Sequence, residues 1–125
     1  MARPVRNTTH DTSWLAAGAE TVQPRFAVIA ASSANNNELV AAVPGFIIRV
    51  VAYNYVVNAA VNVAFRSGAT TVIGGLGYWG EQGRGKAVGF CPVGWFQTAT
   101  GEALNLHLSG AVAVGGELAY VLIPE

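Results

Sequence analysis

Apolar and polar residues alternate along two short stretches of the chain, and this alternation predicts β-strands. In 61–66 (VNVAFR) and 104–109 (LNLHLS), apolar residues occupy every second position, the pattern of a strand with one buried face. Longer β-rich runs lie at 46–57 and 112–123. Within the second run we interpret Gly115-Gly116 as a turn or bulge. No window of ten residues or more has helical periodicity.

Turn-forming residues separate the apolar runs at regular intervals. Clusters of Asn, Gly and Pro, such as 34–37 and 83–85, divide the chain after position 25 into short runs. This spacing predicts an all-β fold, an antiparallel β-sandwich resembling a jelly roll with about eight strands. The predicted strands lie at 26–31, 38–43, 46–57, 61–66, 70–73, 76–79, 86–90, 104–109 and 111–123.

The first 25 residues differ from the rest, so we divide the chain into an N-terminal arm, 1–25, and a β-sandwich domain, 26–125. The arm holds three of the seven basic residues, Arg3 and Arg6 among them, and its one apolar patch begins at Trp14. We expect this segment to be extended. Trp14 either anchors the arm on a neighbouring subunit or covers the chain's own core, and the sequence leaves both interpretations open.

The composition adds one expectation to the predicted fold, which is that the protein surface carries few charges. Charged residues make up 11% of the chain, apolar residues 52%, and seven basic residues balance seven acidic ones. The apolar content excludes an intrinsically disordered chain. Zero net charge without a basic run argues against a nucleic-acid partner. Weakly charged surfaces tend to associate, so we expect the protein to work as a homo-oligomer in an assembly.

No segment of the sequence has the features of a membrane or export signal. The two arginines near the N-terminus are not followed by an apolar stretch, as a signal peptide requires. The apolar runs are broken well before the roughly 18 residues of a spanning helix. We therefore expect no membrane partner, and synthesis in the cytoplasm.

The glycine-rich segment 74–89 contains two nucleotide-binding patterns, and neither has the context that it needs. Residues 75–80 match GxGxxG, but the following EQGRG cannot open the helix that would meet a pyrophosphate. Residues 80–86 match the start of a P-loop, but Ala87 stands where Ser or Thr should bind Mg²⁺. We therefore predict a hairpin loop at 74–89.

The same segment offers side chains suited to protein contacts. Tyr78 and Trp79 belong to the residue types enriched at interface hot spots, and Arg84 and Lys86 can pair with a partner's carboxylates. In the alternative interpretation both aromatic side chains face the core from a short strand.

The sequence predicts no catalytic, cofactor or metal site. Cys91 with His10 or His107 would be the candidate nucleophile and base, but Cys91 lies in an apolar run and His107 on the polar face of a strand. Acidic residues are scattered, without the pairing of a glycosidase or a metal site. A single Cys also excludes an internal disulfide framework. We expect a protein that is not an enzyme.

Several stretches of the chain together resemble small β-sandwich virion proteins of tailed bacteriophages. They are 44–52 (PGFIIRVVA), 63–68 (VAFRSG) and 92–106 (PVGWFQTATGEALNL), continuing through 114–121 (VGGELAYV). The resemblance covers roughly residues 38–123. It implies a capsid decoration, or cement, protein on the virion surface, with the major capsid protein or other virion proteins as partners. Tail and fibre components are near relatives of that group, and the resemblance implies no catalytic residue.

A decoration protein suits the threefold sites of a capsid when it is a cyclic homotrimer, so we expect a trimer. The candidate interface residues are Arg3, Arg6, Trp14, Tyr78, Trp79, Arg84 and Lys86. The alternative function is a carbohydrate-binding or fibre adhesion module, in which Tyr78, Trp79 and Trp95 stack on sugar rings. That function needs at least two coplanar, solvent-facing aromatic side chains beside polar groups.

Overall fold

A computed structural model describes residues 23–125, and this part of the chain consists of β-strands, turns and loops without a helix. The strands are β1 Arg25–Ala31, β2 Asn35–Val40, β3 Phe46–Val57, β4 Val61–Ser67, β5 Thr71–Val72, β6 Gly77–Trp79, β7 Gly85–Val88, β8 Phe96–Gln97, β9 Leu104–Leu108 and β10 Val114–Pro124. They form two antiparallel sheets packed together, so the predicted β-sandwich is confirmed. The first strand begins at Arg25, which the sequence had placed in the arm.

The order of strands in the two sheets is nested. Sheet A runs β1-β10-β3-β7, with β8 also paired to β3, and sheet B runs β2-β9-β4-β5, with β6 also paired to β4. The first strand of the chain therefore pairs with the last, β1 with β10, in sheet A. The next strands inward, β2 and β9, pair in sheet B. This is the strand order of a jelly roll, as the spacing of the strands predicted.

The core lies between the inner faces of the sheets. On β9 the leucines at 104, 106 and 108 are fully buried, which confirms the side of the strand that the alternation predicted to be buried. An aromatic cluster crosses the core, where the Phe65 ring centroid lies 4.9 Å from that of Tyr53 and 4.8 Å from that of Phe96. These contacts join β3, β4 and β8, so the cluster connects the two sheets.

The pairing of β3 with β10 corrects one prediction. Gly115 and Gly116 form neither a turn nor a bulge, because β10 passes through both of them in continuous register with β1 and β3. A Cβ atom at position 116 would collide with the carbonyl oxygen of Asn54, so glycine permits close approach of the strands here. The register instead shifts between Ala119 and Tyr120, where Val51 is the extra residue on β3.

Two further predictions differ from the structure near strand ends. The asparagines expected in a turn at 34–37 begin β2, because the Asn37 side chain donates a hydrogen bond to the Ser33 carbonyl oxygen (2.8 Å) and closes the turn before the strand. The two-residue strand β8 was not predicted. It is held at its end by Thr98, whose hydroxyl oxygen accepts a bond from the backbone N–H of Ile48 (3.0 Å).

Replacing the central aromatic residue of the core tests this packing. Phe65→Ala should lower the free energy of unfolding by about 3–5 kcal/mol, because it leaves a cavity among three other rings. The matched variant Phe26→Ala removes a ring that is 80% exposed and should change stability by about 0.5 kcal/mol or less. Urea denaturation followed by circular dichroism measures both, and equal losses would contradict this description of the core.

Candidate interaction surface

The segment 74–89 connects the two sheets and is not the predicted hairpin. Its first strand, β6, pairs with β4 in sheet B, and its second, β7, pairs with β3 in sheet A. Gly83 has a positive φ of 86°, as expected in a turn. Gly85 serves close approach instead, since a Cβ atom there would collide with the Tyr55 carbonyl oxygen. A hairpin and a connection that crosses from one sheet to the other can both contain these glycines, so the sequence did not distinguish the two structures.

The two adjacent aromatic residues of β6 have different surroundings, because successive side chains of a strand point to opposite faces. Tyr78 is 72% exposed and lies opposite Asn62 on the outer face of sheet B. Trp79 is partly buried against the core, and its Nε1 donates a hydrogen bond to the Tyr55 hydroxyl oxygen (3.1 Å). Burial raises the pKa of that Tyr55 hydroxyl, and the bond from Trp79 opposes the change. Trp79 therefore has a packing role in the folded chain.

The basic residues predicted to contact a partner are also distributed differently. Arg84 forms an ion pair with Glu81 of the same loop (2.7 Å), and both side chains are exposed. Lys86 lies on β7, exposed, without an ion pair to another described residue. Arg3, Arg6 and Trp14 lie outside the described residues, so their predicted contacts stay predictions.

The structure does not bring Cys91 and His107 together. The backbone N–H of Cys91 bonds to Val51 at the side of sheet A (2.8 Å). His107 lies opposite Ala64 on the outer face of sheet B, so the thickness of the sandwich separates the two side chains. His10 is outside the described residues. Within residues 23–125 there is also no group of three His, Cys, Asp or Glu side chains able to hold a metal ion.

The outer face of sheet B is polar, and several of its side chains bind the loop after β4. Asn36 and Arg66 each donate a hydrogen bond to the Ala69 carbonyl oxygen (2.9 and 3.0 Å), and Asn105 donates one to that of Gly68 (2.6 Å). Partial burial, followed by the nearby positive charge of Arg66, lowers the pKa of His107 on the same face. These polar groups serve the chain's own structure.

The outer face of sheet A is largely apolar, and sequence reasoning did not identify it as a surface. Phe26 and Val28 on β1 are 80% and 70% exposed, and Val56 on β3 is 53% exposed. The signal was present in the run 26–31 (FAVIAA). It lacks alternation, which indicates a strand with two apolar faces.

A shallow depression of about 520 Å³ lies in this face, beside the exposed side chains of β1. Its floor includes Ala52, Ala87 and Ala119, and Glu117 is the charged residue in its lining. At the other end of the sheet, beyond Ala119, the outer face has a second apolar cluster that is buried, formed by Ile47, Val51, Val121 and Ile123. The outer face of sheet A is therefore largely apolar, with Arg49, Asn54 and Glu117 as the polar residues that β3 and β10 place among the apolar ones.

The three aromatic residues considered for sugar stacking do not share one surface. Tyr78 belongs to sheet B, whereas Trp95 lies beside β3 in sheet A, where its backbone N–H bonds to Val50 (2.8 Å). Trp95 is 47% exposed, and its Nε1 donates to the Gly89 carbonyl oxygen (2.9 Å). Trp79 packs at the core, so two coplanar exposed rings are not formed from this set.

Comparison of the chain with protein-family models, curated proteins and solved structures gives no significant match. The described residues include no helix of the length and apolarity that would cross a membrane. The geometry of the two outer faces therefore provides the basis for a functional proposal.

Substitution of Tyr78 and Trp79 on β6 tests whether Trp79 packs against the core while Tyr78 is a surface residue. Trp79→Ala should destabilise the fold by about 2 kcal/mol, because it removes a partly buried ring and the hydrogen bond to Tyr55. Tyr78→Ala should change the free energy of unfolding by about 0.5 kcal/mol or less. Urea denaturation measures both, and a stable Trp79→Ala protein would show that Trp79 is not a packing residue.

The histidine on sheet B should titrate below the ordinary pKa of the side chain. NMR titration of the His107 ring, assigned with a His10→Gln variant, measures this shift. Arg66→Gln should raise the pKa of His107 only part of the way back to the ordinary value of the side chain, since desolvation is the larger cause of the shift. Because the folded state binds this proton more weakly than the unfolded chain, protonation should cost stability as the pH falls through the ordinary His range. A His107 pKa above that range would contradict these surroundings.

Proposed function

We propose that this chain is a structural protein of a phage virion, without enzymatic activity, that decorates and stabilises the capsid. It binds the major capsid lattice through the apolar outer face of sheet A, helped by the N-terminal segment and by loops. The observation that carries the proposal is this face itself, where Phe26 and Val28 are 80% and 70% exposed. The resemblance of the sequence to phage virion β-sandwiches supplies the biological context.

The shape and chemistry of the face favour a protein partner. Exposed apolar patches of this kind mark interaction sites in soluble proteins, and interface cores are depleted of charge. The depression is lined by small residues such as Ala52 and Ala119, with Glu117 as its charged group. An open, shallow surface of this composition suits a flat apolar contact with another protein.

The proposed role does not require strong binding at each contact. A lattice presents many equivalent sites, and an oligomer that engages several of them gains affinity by multivalency. Homo-oligomerisation therefore belongs to the proposal. The location that follows is the outer surface of the virion, after synthesis in the host cytoplasm.

A second candidate function is an adhesion module that binds a glycan through sheet B. The observation in its favour is Tyr78, which is 72% exposed opposite Asn62 on a polar face. A glycan array on the purified protein tests it. Saturable binding that is lost in Tyr78→Ala would favour this candidate over capsid decoration.

Co-sedimentation with shells of the major capsid protein from the same phage genome as this chain tests the first proposal. Val56→Lys places a charge on the outer face of sheet A and should weaken binding by at least about tenfold. Val72→Lys is the matched control, since Val72 is 50% exposed on sheet B, and it should bind normally. Binding that is absent in the unmodified protein, or unaffected by Val56→Lys, would contradict the proposal.

Deletion of the N-terminal segment tests its part in the same contact. The deletion should end at residue 22, because β1 begins at Arg25. We expect the shortened protein to keep its β-type circular dichroism spectrum and to bind the shells more weakly. Normal binding would remove the N-terminal segment from the proposal and leave the outer face of sheet A as the contact.

A further inference from the structure

The edges of the two sheets differ in how they resist pairing with other chains. Edge strands carry unpaired backbone groups, and proteins protect them with short length, polar or charged residues, or bulges. The edges formed by β5 and β6, and by β7 and β8, consist of strands of two to four residues. The edge formed by β2 begins with three asparagines and Glu38, and its register shifts before Val40. These edges all have a protecting feature.

Among the strands of residues 23–125, the remaining edge strand is β1, and it has none of these features between its second and last residues. It is seven residues long, FAVIAA following Arg25, and its register with β10 is continuous from end to end. It contains no bulge, and Arg25 at its first position is its one charged residue. The alternating side chains Phe26 and Val28 point outward and are largely exposed. A long apolar edge in continuous register is a site of strand pairing.

We propose that β1 pairs in antiparallel orientation with β1 of a second copy of this chain. Two identical strands that pair with each other do so about a two-fold axis. With the axis at Val28, all seven residues of each strand take part. Sheet A then continues from one copy into the other, and the apolar outer faces of the two copies become one surface.

The side chains of β1 complement each other in this register. On the outer face, Phe26 lies opposite Ala30 of the second copy, and on the inner face Ala27 lies opposite Ile29 of that copy. Each pair joins a large residue with a small one, so directly opposed side chains fit without crowding. A shift by one residue would exchange the two faces. A shift by two toward the start of the strand would place Phe26 opposite Val28 and shorten the pairing.

This inference goes beyond the proposed function, since self-association needs no capsid. It also replaces the threefold symmetry expected from the sequence with a two-fold contact. Binding to capsid shells and self-association are measured separately, so either can fail while the other stands.

The first experiment measures the mass of the protein in solution by light scattering at micromolar concentration. The unmodified chain should be a dimer. Val28→Lys places two like charges opposite each other at the axis and should raise the dimer dissociation constant by about tenfold or more. Val56→Lys, at a valine that is 53% exposed against 70% for Val28, lies on the same outer face but on a central strand and should leave the dimer intact. A monomer or trimer of the unmodified chain would overturn the proposal, as would a Val28→Lys dimer of undiminished affinity.

The second experiment tests the register and does not depend on a loss of stability. In a Cys91→Ser background, Val28→Cys should form an intermolecular disulfide on mild oxidation. Directly opposed residues have Cβ atoms about 4.5–5.5 Å apart, close to the roughly 3.5–4.5 Å of a disulfide. Val56→Cys in the same background should stay reduced. Equal cross-linking of the two variants, or none at position 28, would overturn the pairing.

The third measurement concerns a different occupant of the same edge. If residues 1–22 of the same chain cover β1, the full chain is a monomer and deletion of these residues produces a dimer. That result would overturn the proposal for the full chain. A dimer both before and after the deletion supports pairing of β1 strands.

Discussion

The structure depends on β3, a central strand with apolar side chains on both of its faces. It is twelve residues long and pairs with β10 on one side and with β7 and β8 on the other. A two-layer sandwich buries one face of each sheet. The inner side chains of β3, including Tyr53 and Tyr55, form much of the core. Of its outer side chains, Ile47 and Val51 are buried in the second apolar cluster, whereas Val56 is 53% exposed and is not covered by the second sheet.

The two sheets consequently present different surfaces. Sheet B has asparagine, arginine and histidine on its outer face, and three of these side chains hold the loop that follows β4. Sheet A has mostly alanine, valine and phenylalanine on its outer face, together with Arg49, Asn54 and Glu117. The apolar sheet is the side of the molecule that gains most from contact with another protein.

Much of the fold was predictable from local patterns. The ends of β3 were placed correctly, and β9 was recognised from the alternation of Leu104, Leu106 and Leu108, because a half-buried strand imposes a period of two. The path through Gly115 and Gly116 was not predictable, since a glycine that forms a turn and one that permits close approach are identical in the sequence. Strand β8 was missed because two residues are too few to show a period.

The candidate site was less predictable than the fold. In the sequence, Tyr78 and Trp79 are equally good candidates for an interface residue. Only the pairing of β6 with β4 distinguishes them, because it directs the Tyr78 side chain outward and the Trp79 side chain to Tyr55. The apolar face of sheet A joins residues from four strands that are distant along the chain. The run FAVIAA indicated two apolar faces, but only the strand order shows that its neighbours on the sheet are apolar as well.

The central claim is that the outer face of sheet A is a protein contact surface. The most direct measurement is a cryo-electron microscopy map of the virion in which we propose that this chain assembles, at a resolution that shows side chains. The account predicts protein density against Phe26, Val28 and Val56, with the outer face of sheet B in solvent. A map in which that apolar face is bare and the polar face of sheet B makes the contacts would contradict it.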